Sequence, residues 1–153
     1  MNSHTQPTSV LEQLMTHYAE FSTANLPAIM SLYQKSIVFT DPVSHLQGKP
    51  ALERYFTAMA EGLDFCRFEF DQHVQSSLSG ADSQAALFWT MHYAHPSVQG
   101  GKPASLSGSS HIRYTSEGIY YHRDYYDLGE MLYERLPVIG SAIRLIKRRM
   151  ERS

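Results

Sequence analysis

Cysteine is nearly absent from this chain, since Cys66 is the only one among its 153 residues. A single cysteine excludes an internal disulfide and leaves no zinc site built from several thiolates. Histidine is more frequent, but none of the eight is paired at HxxxH or HxH spacing, and only His92 and His95 lie three residues apart. We therefore expect no metal site.

Long apolar runs are also missing. No stretch approaches the roughly 20 apolar residues of a membrane span, and residues 1–9 are polar, without the charged-then-apolar pattern of a signal peptide. A cytoplasmic protein is the simplest interpretation. The sequence has no glycine-rich phosphate loop and no Gly-x-Ser-x-Gly elbow, which disfavours nucleotide chemistry and acyl-enzyme chemistry.

Net charge is small overall but unevenly distributed. Residues 135–153 hold six Lys or Arg against Glu151, a net of +5, so the residues before them carry −7 in a chain of net charge −2. A basic tail on an acidic body raises the question of an anionic partner. Nucleic acid is not the partner we expect, because the arginines of the tail lack interleaved aromatic residues.

Helical periodicity occurs three times in the first 60 residues. Apolar residues recur at spacings of three and four over Val10–Phe21, Asn25–Tyr33 and Lys49–Ala60. Between the second and third of these segments, Ile37–Thr40 has the character of a brief strand that Pro42 stops. The order helix, helix, strand, helix is therefore predicted.

From Phe65 onward the pattern is that of strands, with links rich in Gly, Pro, Ser and Asp. Adjacent long strands with short links predict an antiparallel meander that bends, because a flat sheet of this length would leave its apolar face uncovered. We predict an α+β domain over residues 8–127, with three N-terminal helices packed on a strongly curved antiparallel sheet, a cone-like α+β barrel. The predicted strands are Cys66–Leu78, Ala85–His95, Ala104–Thr115 and Gly118–Asp127.

Residues 128–153 are predicted to form a basic, amphipathic, helical C-terminal extension. Pro137 lacks an amide donor and should separate a short helix from a longer one. An apolar stripe in the longer helix is costly to leave in water, so we expect it to bury against the domain or, through residues 138–152, against an anionic surface at the inner face of a membrane. The stripe consists of Ile139, Ala142, Ile143, Ile146 and Met150.

Two aspartates are the main candidates for chemistry. Asp41 ends an apolar strand just before a proline turn, where it could serve as a general base at the mouth of a cavity or simply cap the turn. Asp124 lies in the middle of a predicted interior strand, and unpaired burial of a carboxylate is costly. A structural alternative for Asp124 is an ion pair with Arg113 or His122.

Strand alternation groups further candidates around Asp124. Tyr120, His122, Asp124 and Tyr126 share one face, which we expect to line the cavity. On the preceding strand, Ser107, Ser109 and His111 alternate with Leu106, Gly108, Ser110 and Ile112, and either row could face inward. Tyr18 could be a core residue or a site residue, and the same two alternatives are open for His92. The predicted substrate-binding residues are His122, Tyr126, Ser110, His92, Tyr55 and Trp89.

These motifs and the order of elements resemble the nuclear transport factor 2-like superfamily, which includes ketosteroid isomerases, SnoaL-type polyketide cyclases and limonene epoxide hydrolases. Asp41-Pro42-Val43 resembles the Asp-Pro-Val of ketosteroid isomerases, and Tyr18 corresponds to their oxyanion-holding tyrosine. Ser110 stands where their second, protonated aspartate is expected. His122-Arg123-Asp124 is similar to the His-X-Asp of the cyclases.

The resemblance implies catalytic roles for Asp41, Asp124 and Tyr18 on a hydrophobic small molecule, with no organic cofactor. Two functions remain open. One is an isomerase, cyclase or hydratase that uses an aspartate as base. The other is a noncatalytic protein that binds a ligand or a partner through the same fold, which Ser110 favours. We also expect a homodimer formed through the outer sheet face, where Ser107, Ser109, His111, Arg123 and Tyr125 mix small, aromatic and charged groups.

Overall fold

A capping box begins the first helix of the computed structural model, which describes residues 9–133 and 137–151. The backbone amide of Glu12 donates to Ser9 Oγ at 3.2 Å, and the amide of Ser9 donates to Glu12 Oε2 at 3.1 Å. Three helices precede the long strands, as predicted: α1 is Val10–Tyr18, α2 is Leu26–Met30 and α3 is Lys49–Gly62.

The second helix is shorter than its periodicity suggested. Tyr33 was assigned to its last turn, but it is the first residue of a strand. The amide of Ile119 donates to the carbonyl of Leu32 at 2.8 Å, and this long-range pairing draws the backbone after Met30 into the sheet. Tertiary hydrogen bonding therefore overrides the local helical pattern here.

Six strands form one sheet in the order β2-β1-β6-β5-β4-β3. The four strands β3 to β6 make the predicted antiparallel meander, whereas β1 runs parallel to β6. The sheet is therefore mixed, which no local pattern indicated. The strands are β1 Tyr33–Thr40, β2 His45–Gln47, β3 Phe65–Ser77, β4 Ser83–Ala94, β5 Ala104–Thr115 and β6 Gly118–Tyr126.

The sheet is curved but does not close into a barrel, because β2 and β3 remain as edges. Its pairing register shifts between Phe70 and Gln72 in β3 and between Arg113 and Tyr114 in β5. Irregularities of this kind bend strands and increase their twist. The helices pack on one face of this sheet, and the residues buried there most completely are Phe39, Leu14, Ile29, Ile37, Leu52, Leu87, Leu106, Ile112 and Ile119.

The C-terminal extension continues as a short π-helix, Gly129–Tyr133, and a final helix α4, Pro137–Met150. Helix is thus present before residue 134 and after residue 136. The predicted short helix also included residues 134–136, and these three lie outside the described ranges. The apolar stripe is not buried on the domain as one alternative required, since Ile146 is 57% exposed and Met150 72%. Among the described helices, none combines the length and apolarity that crossing a bilayer requires.

Candidate functional site

A cavity of about 570 Å³ lies between the helices and the sheet. This volume falls within the range of small-molecule sites, roughly 300–1,000 Å³. Aromatic and aliphatic side chains from α1, α3, β3 and β4 form most of its wall, and Met131 of the C-terminal extension adds to it. The chemistry available in so apolar a cavity therefore depends on the few polar groups that reach it.

Most of the predicted site residues converge on this cavity. Tyr18, Asp41, Asp124, Tyr55, Trp89 and Tyr126 all line it. Ser110 and His122 are buried directly behind Asp124, where both are hydrogen-bonded to its carboxylate. The inward row of β5 is therefore the one containing Leu106, Ser110 and Ile112, which settles the choice that alternation left open.

Both oxygens of Asp41 are occupied by hydrogen bonds. Oδ1 accepts from the amides of Val43 and Ser44 at 2.8 and 2.7 Å, and Oδ2 accepts from the Tyr55 hydroxyl at 2.6 Å. The amide bonds are those of an Asx turn, so Asp41 caps the proline turn as the structural alternative proposed. Burial, followed by the bond to Asp41, raises the pKa of Tyr55 far above its ordinary value, which keeps that hydroxyl protonated as the donor.

Asp124 is held differently. Oδ1 alone accepts the bonds from its neighbours, at 2.5 Å from Ser110 Oγ and at 2.7 Å from His122 Nε2. Within the described ranges 9–133 and 137–151, no hydrogen bond to Oδ2 is made. Two donors on one oxygen orient the carboxylate and leave the other oxygen without a partner among the described residues, in a side chain that lines the cavity.

Trp89 extends the contacts of Asp124 across the sheet. The indole Nε1 donates to Ser110 Oγ at 2.9 Å, and that hydroxyl donates in turn to Asp124. Ser110, where the resemblance to the isomerases would place a second acid, links the indole to the carboxylate. The only tryptophan of the chain therefore reports on the surroundings of Asp124.

A row of hydroxyl groups continues from the other side of His122. Nδ1 of His122 is 2.9 Å from the Tyr33 hydroxyl, which is hydrogen-bonded to the Tyr18 hydroxyl. In the tautomer that donates from Nε2 to Asp124 and accepts at Nδ1, Tyr33 would donate to His122 and Tyr18 would donate to Tyr33. In that arrangement the proton of Tyr18 is engaged by Tyr33 rather than offered to the cavity.

Burial keeps these tyrosines protonated. It raises the pKa of Tyr18 and of Tyr33 well above the ordinary value of 10.0. The Tyr33 hydroxyl and the negative charge of Asp124 raise the pKa of Tyr18 further. Both phenols are therefore hydrogen-bonding groups in this structure and not bases.

Tyr126 is the tyrosine whose hydroxyl is available for a ligand. It lies two residues beyond Asp124 on the same strand face, and it lines the cavity beside Trp89. No described residue accepts or donates a hydrogen bond at its hydroxyl. Burial, then the carboxylates of Asp41 and Asp124, raise the pKa of Tyr126, so the hydroxyl remains a donor.

His92 does not belong to the cavity, although it was predicted to bind substrate. Met91 and Tyr93 line the cavity, and alternation turns the side chain between them to the opposite sheet face. There Nδ1 of His92 is 3.1 Å from Ser105 Oγ, and Nε2 is 2.9 Å from Glu69 Oε2. These are cross-strand contacts of the outer surface.

A register shift also changes the expected row on β6. Ile119, not Tyr120, is the fully buried residue that pairs with Tyr33. The shift lies between Arg113 and Tyr114 on β5, opposite the segment that contains Tyr120. His122, Asp124 and Tyr126 keep the predicted alternation because they follow the irregularity.

Tyr33 and Met131 are among the contributors that were missed from sequence. Tyr33 connects Tyr18 to His122, and Met131 adds to the cavity wall. Tyr33 is an even number of residues from Ile37 and Phe39, so extending that strand backward would have indicated it. Nothing local indicated Met131, because its position depends on how the extension folds back.

The SnoaL-like domain family matches residues 14–122, most of the chain. The chain belongs to the SnoaL-like family. No curated protein matches it.

Among the described residues, no three His, Cys, Asp or Glu side chains lie where they could hold a metal ion together.

Solved structures at low identity share this fold. A protein of ketosteroid isomerase-like fold from Catenulispora acidiphila, in complex with trimethylamine, has a TM-score of 0.65 at 12% identity, covering 82% of this chain and 92% of its own. A proposed polyketide cyclase from Pseudomonas putida has a TM-score of 0.60 at 17% identity, covering 84% and 98%. AclR, a proposed hydroxylase from Streptomyces galilaeus, has a TM-score of 0.62 at 12% identity, covering 86% and 93%.

Proposed function

We propose that this SnoaL-like protein is a cofactor-independent enzyme of the isomerase, cyclase or hydratase kind, with Asp124 as its general base. The substrate is a hydrophobic molecule that carries a carbonyl or hydroxyl group. One observation carries the proposal: both hydrogen bonds to Asp124 fall on Oδ1, while Oδ2 accepts none from the described residues at the wall of an apolar cavity. A carboxylate held in this way presents one oxygen to a proton of the substrate.

The proposed reaction begins with transfer of a proton from carbon to Asp124 Oδ2. The electron pair of the broken C–H bond moves into the adjacent carbonyl, and the resulting oxyanion accepts a hydrogen bond from Tyr126. In an isomerase the same proton returns to a different carbon. In a cyclase the enolate carbon instead attacks a second carbonyl of the same molecule, and the alkoxide that forms takes the proton back from Asp124. Neither route requires an oxidant or a reductant.

The groups behind Asp124 act as positioning residues. His122 and Ser110 bond Oδ1 and direct Oδ2 toward the substrate, and Trp89 holds Ser110 in turn. Asp41 and Tyr55 occupy another part of the wall, where they fix the proline turn and add a polar contact. Tyr18 contributes through Tyr33 and His122 in this arrangement rather than by contact with the oxyanion.

The similarity to a proposed polyketide cyclase from Pseudomonas putida agrees with this class of reaction, although at 17% identity it is a likeness of fold. An apolar cavity of about 570 Å³ suits a fused-ring or chain-like molecule with few polar groups. The substrate class is therefore inferred from the cavity and its polar groups, and not from the similarity of fold.

The experiment measures exchange of carbon-bound hydrogen for deuterium by NMR, with β,γ-unsaturated ketones and linear poly-β-ketones, and hydration of enones and epoxides. Asp124→Asn should lower kcat/KM by about 100-fold or more, the contribution typical of a general base. Tyr126→Phe should lower kcat more than it raises KM. Asp71→Asn is the matched control, because Asp71 is exposed on β3.

A noncatalytic binding protein is the second candidate, and the fully occupied Asp41 together with Ser110 in place of an acid favours it. Fluorescence of Trp89 measures ligand binding independently of turnover. Absence of exchange and of turnover with every class, together with ligand affinity unchanged by Asp124→Asn, would leave the binding function and exclude the enzyme.

A further inference from the structure

The final helix α4 presents an apolar stripe that the domain leaves exposed. Ile139 is 48% exposed, Ile146 57% and Met150 72%. Together with the partly exposed Ile143 they recur at spacings of four, three and four, which places them along one side of the helix. The helix contacts the domain elsewhere: Gly140 is buried, and Lys147 Nζ lies 3.4 Å from Asp127 Oδ2.

Basic residues are arranged around this stripe. At 3.6 residues per turn, Lys147 and Arg149 border it on its two sides, whereas Arg144 and Arg148 lie across the helix from it. Residues 135–153 carry a net +5, and the residues before them carry −7. The net positive charge of the molecule therefore lies in the segment that contains this exposed apolar stripe.

We propose that α4 lies in the surface of an anionic lipid bilayer. Its apolar stripe would enter the boundary between headgroups and acyl chains, and the long stems of Lys147 and Arg149 would let their charges remain at the level of the lipid phosphates. An acidic body is repelled by the same surface, so the charge distribution orients the molecule with α4 toward the lipid. Packing α4 against a second copy of itself would bring the bordering cations together, which disfavours that occupant.

The docking helix follows the cavity wall closely in sequence. Met131 lines the cavity, and Pro137 begins α4 only six positions later. Binding to lipid does not depend on catalysis, so the proposal stands or fails separately from the proposed function.

The experiment is cosedimentation of the full chain with vesicles of phosphatidylcholine alone and with vesicles that also contain phosphatidylglycerol, at low and high salt. The protein should bind the anionic vesicles selectively, and high salt should weaken binding. Each basic residue near an anionic surface contributes about fivefold to affinity, so Arg149→Glu, at the border of the stripe, should reduce binding at least about fivefold.

Two further variants separate apolar insertion from nonspecific charge attraction. Ile146→Asp should reduce binding to anionic vesicles about tenfold or more, because a buried isoleucine contributes on that scale. The matched control reverses two exposed charges on the body, Arg67→Glu with Lys102→Glu, and should leave binding within about twofold. Circular dichroism verifies that each variant is folded.

Several results would overturn the proposal. Equal binding to neutral and anionic vesicles, or binding to neither, contradicts an anionic bilayer as the occupant. A control variant that loses as much binding as the tail variant shows that net charge alone is responsible. An oligomer in solution that Ile146→Asp dissociates shows that a second copy covers the stripe instead.

Discussion

The indole ring of Trp89 occupies the space that a side chain at Gly108 would require. The two residues pair directly across β4 and β5, and a Cβ atom at position 108 would lie only 2.3 Å from the Cη2 atom of Trp89. Glycine therefore allows the ring to cross the neighbouring strand and reach Ser110. The site around Asp124 depends on this missing side chain.

Gly108→Ala should displace Trp89 and destabilise the protein by about 1–3 kcal/mol, the usual cost of overpacking a core. The Nε1 bond to Ser110 should weaken as the ring moves, so the fluorescence of the single tryptophan should shift to longer wavelength. Urea denaturation and emission spectra measure the two effects.

Ser107→Ala is the control for this variant, because Ser107 is the neighbouring residue on the outer sheet face. It should change neither stability nor emission appreciably. If Gly108→Ala matched this control in both measurements, the close contact between the indole and the β5 backbone would be wrong.

Tyr33→Phe should destabilise the protein by about 1–3 kcal/mol, because it leaves the Tyr18 hydroxyl and His122 Nδ1 buried without their shared partner. It should also lower any kcat through looser positioning of Asp124, with little change in KM. Tyr114→Phe removes an exposed hydroxyl that bonds Gln75, and its effect should be close to zero. Equal effects of the two changes would contradict the role assigned to the hydroxyl chain.

His111 should make the protein less stable in mild acid. Burial, followed by the charge of Arg113, lowers the pKa of His111 below its ordinary 6.5. The unfolded chain then binds this proton more readily, so the contribution to stability is complete above about pH 6.5 and is lost as the pH falls below it. Urea denaturation at about pH 8 and about pH 5 measures how much unfolding free energy the protein loses in acid, and this loss should be smaller for His111→Gln than for the wild type. An equal loss in the two proteins would exclude His111 as its source.

The protein should form a homodimer through the outer sheet face, as its composition suggested. Phe88 and Tyr125 lie on that face, 45% and 48% exposed, and both flank Ser109 in the strand register. An exposed aromatic pair with the Arg123 guanidinium over the Tyr125 ring is typical of interface cores. Phe88→Asp should therefore shift the mass seen by light scattering toward that of the monomer.

Val43→Asp is the control for the dimer, since Val43 is 55% exposed but lies at the cavity. It should leave the mass unchanged. Wild-type protein that scatters as a monomer at tens of micromolar, or a dimer that Phe88→Asp does not weaken, would show that this face is not the interface.

Much of the architecture follows from local patterns. The spacing of apolar residues placed α1 and α3, and the turn residues placed the hairpins of the antiparallel meander. Alternation placed His122, Asp124 and Tyr126 on one face, because side chains of a strand must alternate. It failed at Tyr120, where a register shift interrupts the period.

Roles within the site were harder to predict because they depend on partners distant in sequence. Asp41 and Asp124 were both candidates in the sequence, but Asp41 is satisfied by its own turn and by Tyr55. Asp124 keeps one oxygen open because Ser110 and His122 both approach the other. His92 lies on the sheet face opposite to Trp89, and the sequence did contain a sign of this, because the two residues are an odd number of positions apart on one strand.

The amino-acid sequence by itself determined the elements, because backbone preferences and apolar periodicity act over a few neighbouring residues. Only the tertiary structure decided that β1 runs beside β6 and brings Tyr33 to His122, and that α4 keeps its apolar stripe in solvent. Contacts of this kind join residues many positions apart. Their free energy depends on how whole elements pack, which no short stretch of sequence encodes.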